Sequence, residues 1–157
     1  MNTHESYVSL TTAKMLKEAG FDWEGTSYYQ YGVFYPYKID RERLVIMNQS
    51  SAPSYMEQYS APTLDVAQRW LREVKNYYVS VDVNCDSIGV FYTVRYVFHD
   101  GDKYNASYIW EDTEMNIVKH RRIFDNFEEA QEAGIKIALE LILEKGCNNE
   151  NNSIITN

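Results

Sequence analysis

The chain has 157 residues, of which 15 are basic and 23 are acidic, so its formal net charge is −8. This length predicts one domain that can bury a core without disulfide or metal cross-links. The negative charge opposes non-specific binding to nucleic acid phosphates and to anionic lipid, and no apolar run is long enough to span a membrane.

The cellular compartment follows from the first residues and from the cysteines. Residues 1–10, MNTHESYVSL, have neither the basic nor the apolar part of a secretory signal. We therefore expect a cytoplasmic protein, in which Cys85 and Cys147 stay reduced.

The first third of the chain predicts one helix followed by irregular β-structure. Residues 8–21 form the helix, with Ser9 as its N-cap, Gly20 as the left-handed residue after its end, and Phe21 folding back on Leu16. Residues 27–37 are rich in tyrosine and predict an irregular edge strand, with residues 44–47 as its short partner. An exposed aromatic edge of this kind also invites self-association. Residues 48–61, rich in Ser, Pro, Gln and Tyr, predict a long surface loop.

A second helix is predicted over residues 63–74. Its apolar side chains recur at three- and four-residue spacing, and they are Leu64, Ala67, Trp70, Leu71 and Val74. We expect this side of the helix to be buried, with Trp70 as the largest anchor of the core.

Four strands follow the second helix. They are predicted over residues 77–83, 88–98, 104–110 and 116–124, with a tight turn at Asp100 and Gly101. Short turns favour an antiparallel meander, because parallel strands need longer crossovers. The alternation of Tyr77–Val83 predicts that one face of the sheet is at least partly solvated.

The last helix is the most clearly marked element. Asn126 and Glu129 can form a capping box at its start, and Gly146 can end it. The Asn-rich residues 147–157 then predict a disordered tail behind a single domain of residues 1–146. The predicted fold is α+β, an antiparallel sheet (a meander of three or four strands plus one or two N-terminal strands) with three helices packed mainly on one face.

The sequence carries none of the common catalytic motifs. It lacks GxSxG, GxxxxGK[ST], GxGxxG and HExxH, so we expect no metal, no cofactor and a non-enzymatic role. Asp82, Asn84 and Asp86 have the spacing of a calcium loop, but Ser87 and Thr93 replace its glycine and glutamate, which favours a polar turn. An enzyme stays an open alternative, because active sites assemble from distant segments.

One basic cluster interrupts the acidic chain. The candidate binding patch consists of Tyr78, Arg95, Lys119, His120, Arg121 and Arg122. Because side chains alternate along a strand, at most two members of the run 119–122 share a face. The alternative interpretation is an ordinary solvated strand face.

Three stretches resemble a family of small proteins without assigned activity from phages and mobile elements of gut Bacteroidales. They are YVSLTTAKMLKEAGF (7–21), SAPTLDVAQRWLREVKNYYVSV (60–81) and FEEAQEAGIKIALELIL (127–143). The resemblance covers about a third of the chain and implies a small cytoplasmic accessory protein. It transfers no functional residue.

Three functional hypotheses follow from the sequence. The first is an accessory module that binds another protein through an aromatic sheet face and the loop 48–61. The second is binding of single-stranded nucleic acid or a small ligand on an aromatic and basic sheet face, which predicts salt-sensitive retention. The third is an acidic inhibitor that mimics DNA, which requires the negative charge to form one continuous surface.

Overall fold

The computed structural model describes residues 6–25, 27–36, 57–100, 103–112 and 119–153. Within these residues the helices are α1 (Leu10–Glu18), α2 (Leu64–Lys75) and α3 (Phe127–Ser153). The strands are β1 (Tyr28–Gln30), β2 (Val33–Tyr35), β3 (Gln58–Ser60), β4 (Tyr77–Cys85), β5 (Val90–Asp100), β6 (Lys103–Tyr108), β7 (Trp110–Asp112) and β8 (Lys119–Arg121). They form antiparallel sheets in the orders β2-β1-β3, β4-β5-β6 and β7-β8. The predicted α+β fold is confirmed.

Helix α1 lies within the predicted residues 8–21 and has the predicted residues at its two ends. The Ser9 side chain accepts a hydrogen bond from the backbone N–H of Thr12, and Gly20 adopts a φ of +87° after the last turn. The N–H of Phe21 then donates to the carbonyl of Leu16 at 2.8 Å. This left-handed ending directs the Phe21 ring into the core, where its centre lies 5.3 Å from that of Trp70.

The N-terminal sheet differs from the prediction. Of the predicted strand 27–37, the described residues 27–36 form two strands instead of one, because the chain reverses at Tyr31 and Gly32, with φ angles of +50° and +78°. Two successive positive φ angles are typical of the tightest β-hairpin turn. The strand β3 takes the place beside β1 that we predicted for residues 44–47, which lie outside the described residues.

The loop predicted over residues 48–61 is also wrong at its C-terminal end. Residues 58–60 are β3, and Ser60 and Ala61 are buried. Residues 48–56 lie outside the described residues. Propensity alone missed β3, because its pairing with Tyr28–Gln30 is a long-range contact.

The central sheet is the predicted meander, with a fork at its far side. Strand β6 ends at Tyr108. Beyond this point the neighbour of β5 is Phe124, which pairs with Tyr92 through two backbone hydrogen bonds of 2.9 and 3.0 Å. The predicted strand 116–124 is therefore divided into β8, which pairs with β7, and a bridge at Phe124. The fork places the β7-β8 hairpin directly beside β6.

Helices α2 and α3 pack on one face of the central sheet. Helices α2 and α3 contact β4, α3 also contacts β5, and α1 packs against α3 and β3. A side chain at Gly134 of α3 would collide with Val79 and would lie 2.8 Å from Cγ1 of Val94. Gly134 therefore marks the closest approach of the helix to the sheet. Trp70, Leu71, Ile135 and Leu139 are fully buried beside it.

Two predicted helix features are wrong. Helix α3 does not end at Gly146 but continues to Ser153. Gly146 does not adopt the positive φ angle that a left-handed helix ending requires. A glycine inside a helix costs only about 1 kcal/mol and does not end it by itself. Val74 is 47% exposed although its spacing placed it on the buried side of α2. In the described part of the chain no helix is both long enough and apolar enough to cross a membrane.

Candidate binding surface

The face of the central sheet that points away from the helices is the candidate site, and we call it the outer face. Residues that are paired across antiparallel strands point their side chains to the same side. Val79 and Val94, which contact α3, therefore identify the inner face, and their neighbours along each strand belong to the outer one. The outer face consists of Tyr78, Ser80, Asp82, Asn84, Phe91, Thr93, Arg95, Val97, His99, Tyr104, Ala106 and Tyr108, together with Trp110 and Arg121, which contact Tyr108 from beyond the fork.

Aromatic side chains dominate the exposed part of this face. Tyr104 is 67% exposed and Tyr78 is 38% exposed, on the two outside strands of the sheet. Trp110, just beyond the fork, is 46% exposed, and its ring lies edge-on to that of Tyr108 at 6.3 Å. Tyrosine and tryptophan combine a large apolar area with a polar group, which suits them to surfaces that bind other molecules.

An arginine–tyrosine stack lies at the fork. The guanidinium carbon of Arg121 in β8 lies 3.8 Å from the centre of the Tyr108 ring. Arg95 is paired directly opposite Tyr108 across β5 and β6, so its side chain lies on the same face. One exposed cation thus makes a cation–π contact with the Tyr108 ring, and a second exposed cation shares its face of the sheet.

The structure places the six predicted patch residues in two groups. Tyr78, Arg95 and Arg121 belong to the outer face. The guanidinium of Arg122 instead lies over the ring of buried Phe124 at 5.0 Å, on the opposite side. Lys119 and His120 are part of β8, and their side chains lie outside what the structure describes.

Sequence reasoning missed three residues of the outer face: Tyr104, Tyr108 and Trp110. Their alternation along one segment was a usable signal, because every second residue of a strand shares a face. Placing them beside Arg121 required the fork after Tyr108, which is set by the pairing of Tyr92 with Phe124.

The charge of the outer face differs from that of the chain. Among its described side chains it carries Arg95, and Arg121 reaches it from β8, while Asp82 accepts a hydrogen bond from Ser80 at 3.3 Å. The chain as a whole carries −8. This face is therefore better suited to a neutral or acidic partner than the average surface is.

The polar segment at Asp82, Asn84 and Asp86 builds a turn. Asn84 donates a hydrogen bond to Thr93 across the hairpin at 3.0 Å, and Asp86 accepts bonds from the backbone N–H groups of Ile88 and Gly89 at 2.8 and 3.0 Å. Within the described residues no three His, Cys, Asp or Glu side chains are grouped as a metal site would need.

A cavity of about 270 Å³ lies where the first turns of α2 and α3 meet. It is lined by Ser6, Thr63, Leu64, Asp65, Phe127, Glu128 and Gln131. The buried amide of Gln131 donates to Asp65 at 2.9 Å and to Gln68 at 2.6 Å, and Gln68 in turn donates to the carbonyl of Val79 at 2.6 Å. This chain of bonds holds α2, α3 and β4 together, which gives Gln131 and Gln68 a structural role.

Glu132 has a shifted pKa, and it lies outside the cavity. Burial opposes its ionisation, but hydrogen bonds from Ser9 and Thr12, with Lys136 nearby, outweigh burial and lower the pKa below its ordinary value. Burial, and then the charge of Glu132, raise the pKa of Tyr29, whose hydroxyl donates to the carbonyl of Val8 at 3.0 Å. A general acid or base needs a pKa near the operating pH. These shifts lead away from that range and indicate structural groups.

Comparison of the chain with protein-family models, with curated proteins and with solved structures found no match.

Proposed function

We propose that this protein is a non-enzymatic binding module that recognises another protein through the outer face. The observation that carries the proposal is that Tyr78 and Tyr104, on the two outside strands of the central sheet, and Trp110, just beyond β6, are exposed on the side opposite α2 and α3. An antiparallel sheet normally presents polar side chains on its solvated face. Exposed aromatic residues on that face therefore support the binding of another molecule there.

The proposal extends to the setting in which the module acts. A cytoplasmic location agrees with the exposed thiol of Cys85, which is a free cysteine. The resemblance to small proteins of Bacteroidales phages and mobile elements supports an accessory role, in which a small protein binds and modifies the behaviour of a larger one.

Site-specific photo-crosslinking tests the proposal. A photoreactive residue at Tyr104 is expected to capture a discrete protein in cells that express the full chain. The matched control is the same residue at Tyr31, which is 65% exposed against 67% for Tyr104 but lies in the other sheet. The proposal fails if the two positions capture the same proteins in equal yield, or if Tyr104 captures none.

A second candidate function is the binding of single-stranded nucleic acid. The stack of Arg121 on Tyr108, with Arg95 opposite, is the observation that favours it, because cations and ring faces together bind phosphates and bases. Retention of a labelled oligonucleotide should then weaken steeply with salt.

A pair of arginine variants tests this second function. Arg121→Ala should reduce oligonucleotide affinity several-fold, because it removes a positive charge that would contact the phosphates beside the Tyr108 ring. Arg69→Ala is the matched control, because Arg69 also stacks on an aromatic ring, that of Trp23 at 4.8 Å, but on α2. Equal losses in the two variants, or no binding at low salt, would exclude the function.

A further inference from the structure

We infer that the free edge of β4 pairs with the same edge of a second copy of this chain, across a two-fold axis at Val83. The two three-stranded central sheets would then join into one continuous sheet. This inference does not rest on the proposed function, since the edge of β4 and the outer face are different surfaces.

The pairing pattern of β5 shows which backbone groups of β4 are open. Tyr92 and Val94 use their backbone groups on the side of Phe124 and Ile109. The odd-numbered residues of β5, which alternate with Tyr92 and Val94, therefore form hydrogen bonds with the even-numbered residues of β4. It follows that the odd-numbered residues of β4 direct their backbone N–H and C=O groups to the open edge. The carbonyl of Val79 confirms this direction, since it accepts the side chain of Gln68 from α2.

The open stretch has a centre of symmetry. Gln68 occupies the carbonyl of Val79, and β4 ends at Cys85. Among the described residues, no hydrogen bond reaches the outward backbone groups of Val81, Val83 and Cys85. A two-fold axis through Val83 pairs Val83 with its copy and Val81 with Cys85 of the second copy. With an axis at Val81, Val83 would face Val79 of the second copy, whose edge Gln68 occupies. With an axis at Cys85, Val83 would face residue 87 of the second copy, which lies beyond the end of β4. Val83 is therefore the centre that pairs the outward groups of all three residues.

The side chains fit the same register. Val83 is 65% exposed in the single chain and would be covered by its own copy. Asp82 would lie opposite Asn84 of the second copy, so no like charges face each other. The edge contains no lysine or proline, which normally prevent such pairing, and its one charged residue is Asp82, since its sequence is YYVSVDVNC.

The helices leave room for the second copy. Helix α3 contacts β4 closely at Val79, in the first half of the strand, whereas Val83 in the second half is 65% exposed. In an antiparallel pair the second copy's helices lie toward the opposite end of the joined sheet.

The first test is the mass of the full chain in solution. The single chain weighs 18.4 kDa, and we expect twice this mass by light scattering across a concentration series. Val83→Lys brings two like charges together at the axis and should raise the dissociation constant at least about tenfold. Val33→Lys is the matched control, because Val33 is 54% exposed on β2, an edge strand of the other sheet. Circular dichroism verifies that both variants are folded.

A disulfide tests the register. In a Cys147→Ser background, Val81→Cys should form an intermolecular bond with Cys85 of the second copy, because residues paired in this way are about 5.5 Å apart. The bond cannot form within one chain, since four residues of strand span about 13 Å. Peptide mass spectrometry should find the 81–85 link, and the Cys147→Ser parent should form far less covalent dimer.

Three results would overturn the inference. A wild-type chain of 18.4 kDa at every concentration excludes the dimer. If Val83→Lys and Val33→Lys weaken dimerisation equally, or if neither variant weakens it, the dimer forms through another surface. Capture of a foreign strand at β4 by a chain that stays monomeric assigns the edge to a different partner.

Discussion

The carboxylate of Glu132 on α3 accepts a hydrogen bond of 2.8 Å from the backbone N–H of Ser9, the residue that caps α1, although the two are 123 positions apart. The same oxygen accepts the hydroxyl of Thr12 at 2.7 Å. Glu132 thus supplies an acceptor and a negative charge at the N-terminus of α1, where unpaired N–H groups and the helix dipole favour both. One side chain joins the first helix to the last.

We predict that Glu132 makes stability depend on pH in the acid range. Its pKa in the folded protein is below its ordinary value of 4.5, so the folded state favours the ionised form. The resulting stabilisation is complete above the pKa of the unfolded chain and is lost as the pH falls through the lower folded pKa. Glu132→Gln should reduce this loss, as measured by urea unfolding from neutral pH down to about pH 3.

The control for this prediction is Glu140→Gln. Glu140 lies on the same helix and is exposed, so its replacement should leave the acid dependence close to that of the wild type. If Glu132→Gln follows the wild-type curve at every pH, the contact with Ser9 contributes nothing to the pH dependence.

Local signals predicted what local contacts determine. The caps at Ser9 and Gly20 are confirmed, because each involves hydrogen bonds within a few residues along the chain. The contact of Glu132 with Ser9 was not predicted. In the sequence Glu132 is one of several glutamates on α3, and only the packing of α1 on α3 distinguishes it.

The outer face shows the same limit. Alternation along β4 predicted that one side of the sheet is solvated, and Tyr78 and Arg95 lie there. Which aromatic ring Arg121 contacts depends on where β6 leaves the sheet, and this is fixed by the long-range pairing of Tyr92 with Phe124. Single-sequence periodicity contains no information on that register.

Gly134 permits the close contact of α3 with the sheet, and we predict that Gly134→Ala destabilises the fold by about 1–3 kcal/mol. The added methyl group would meet Val79 and Val94, both packed in the core, so the helix must move away from the sheet. Gly146→Ala is the matched control on the same helix, because nothing lies within 4 Å of its new methyl group. It should instead gain up to about 1 kcal/mol from helix propensity. Equal effects of the two substitutions in thermal unfolding would contradict the close approach.

Trp70 is the largest fully buried side chain, and its ring meets that of Phe21 edge-on. Trp70→Ala should lower the free energy of unfolding by about 3–5 kcal/mol, because it removes a large apolar group and leaves a cavity. Trp110→Ala, at a tryptophan that is 46% exposed, should cost much less in the same urea titration. A Trp70→Ala variant with an unchanged melting temperature would refute the placement of Trp70 in the core.

Tyr31 adopts a left-handed φ of +50° in the turn between β1 and β2, which a bulky side chain tolerates poorly. Asparagine adopts left-handed backbone angles more readily than tyrosine, so Tyr31→Asn should raise the free energy of unfolding by up to about 1 kcal/mol. The exposed Tyr31 ring has little packing to lose. Tyr31→Ala also removes the ring, but alanine has no preference for the left-handed region. It therefore separates the effect of losing the ring from the effect of relieving the backbone. Urea unfolding should therefore order the proteins with Tyr31→Asn above both the wild type and Tyr31→Ala, and an asparagine variant no more stable than the alanine one would show that the turn is not strained.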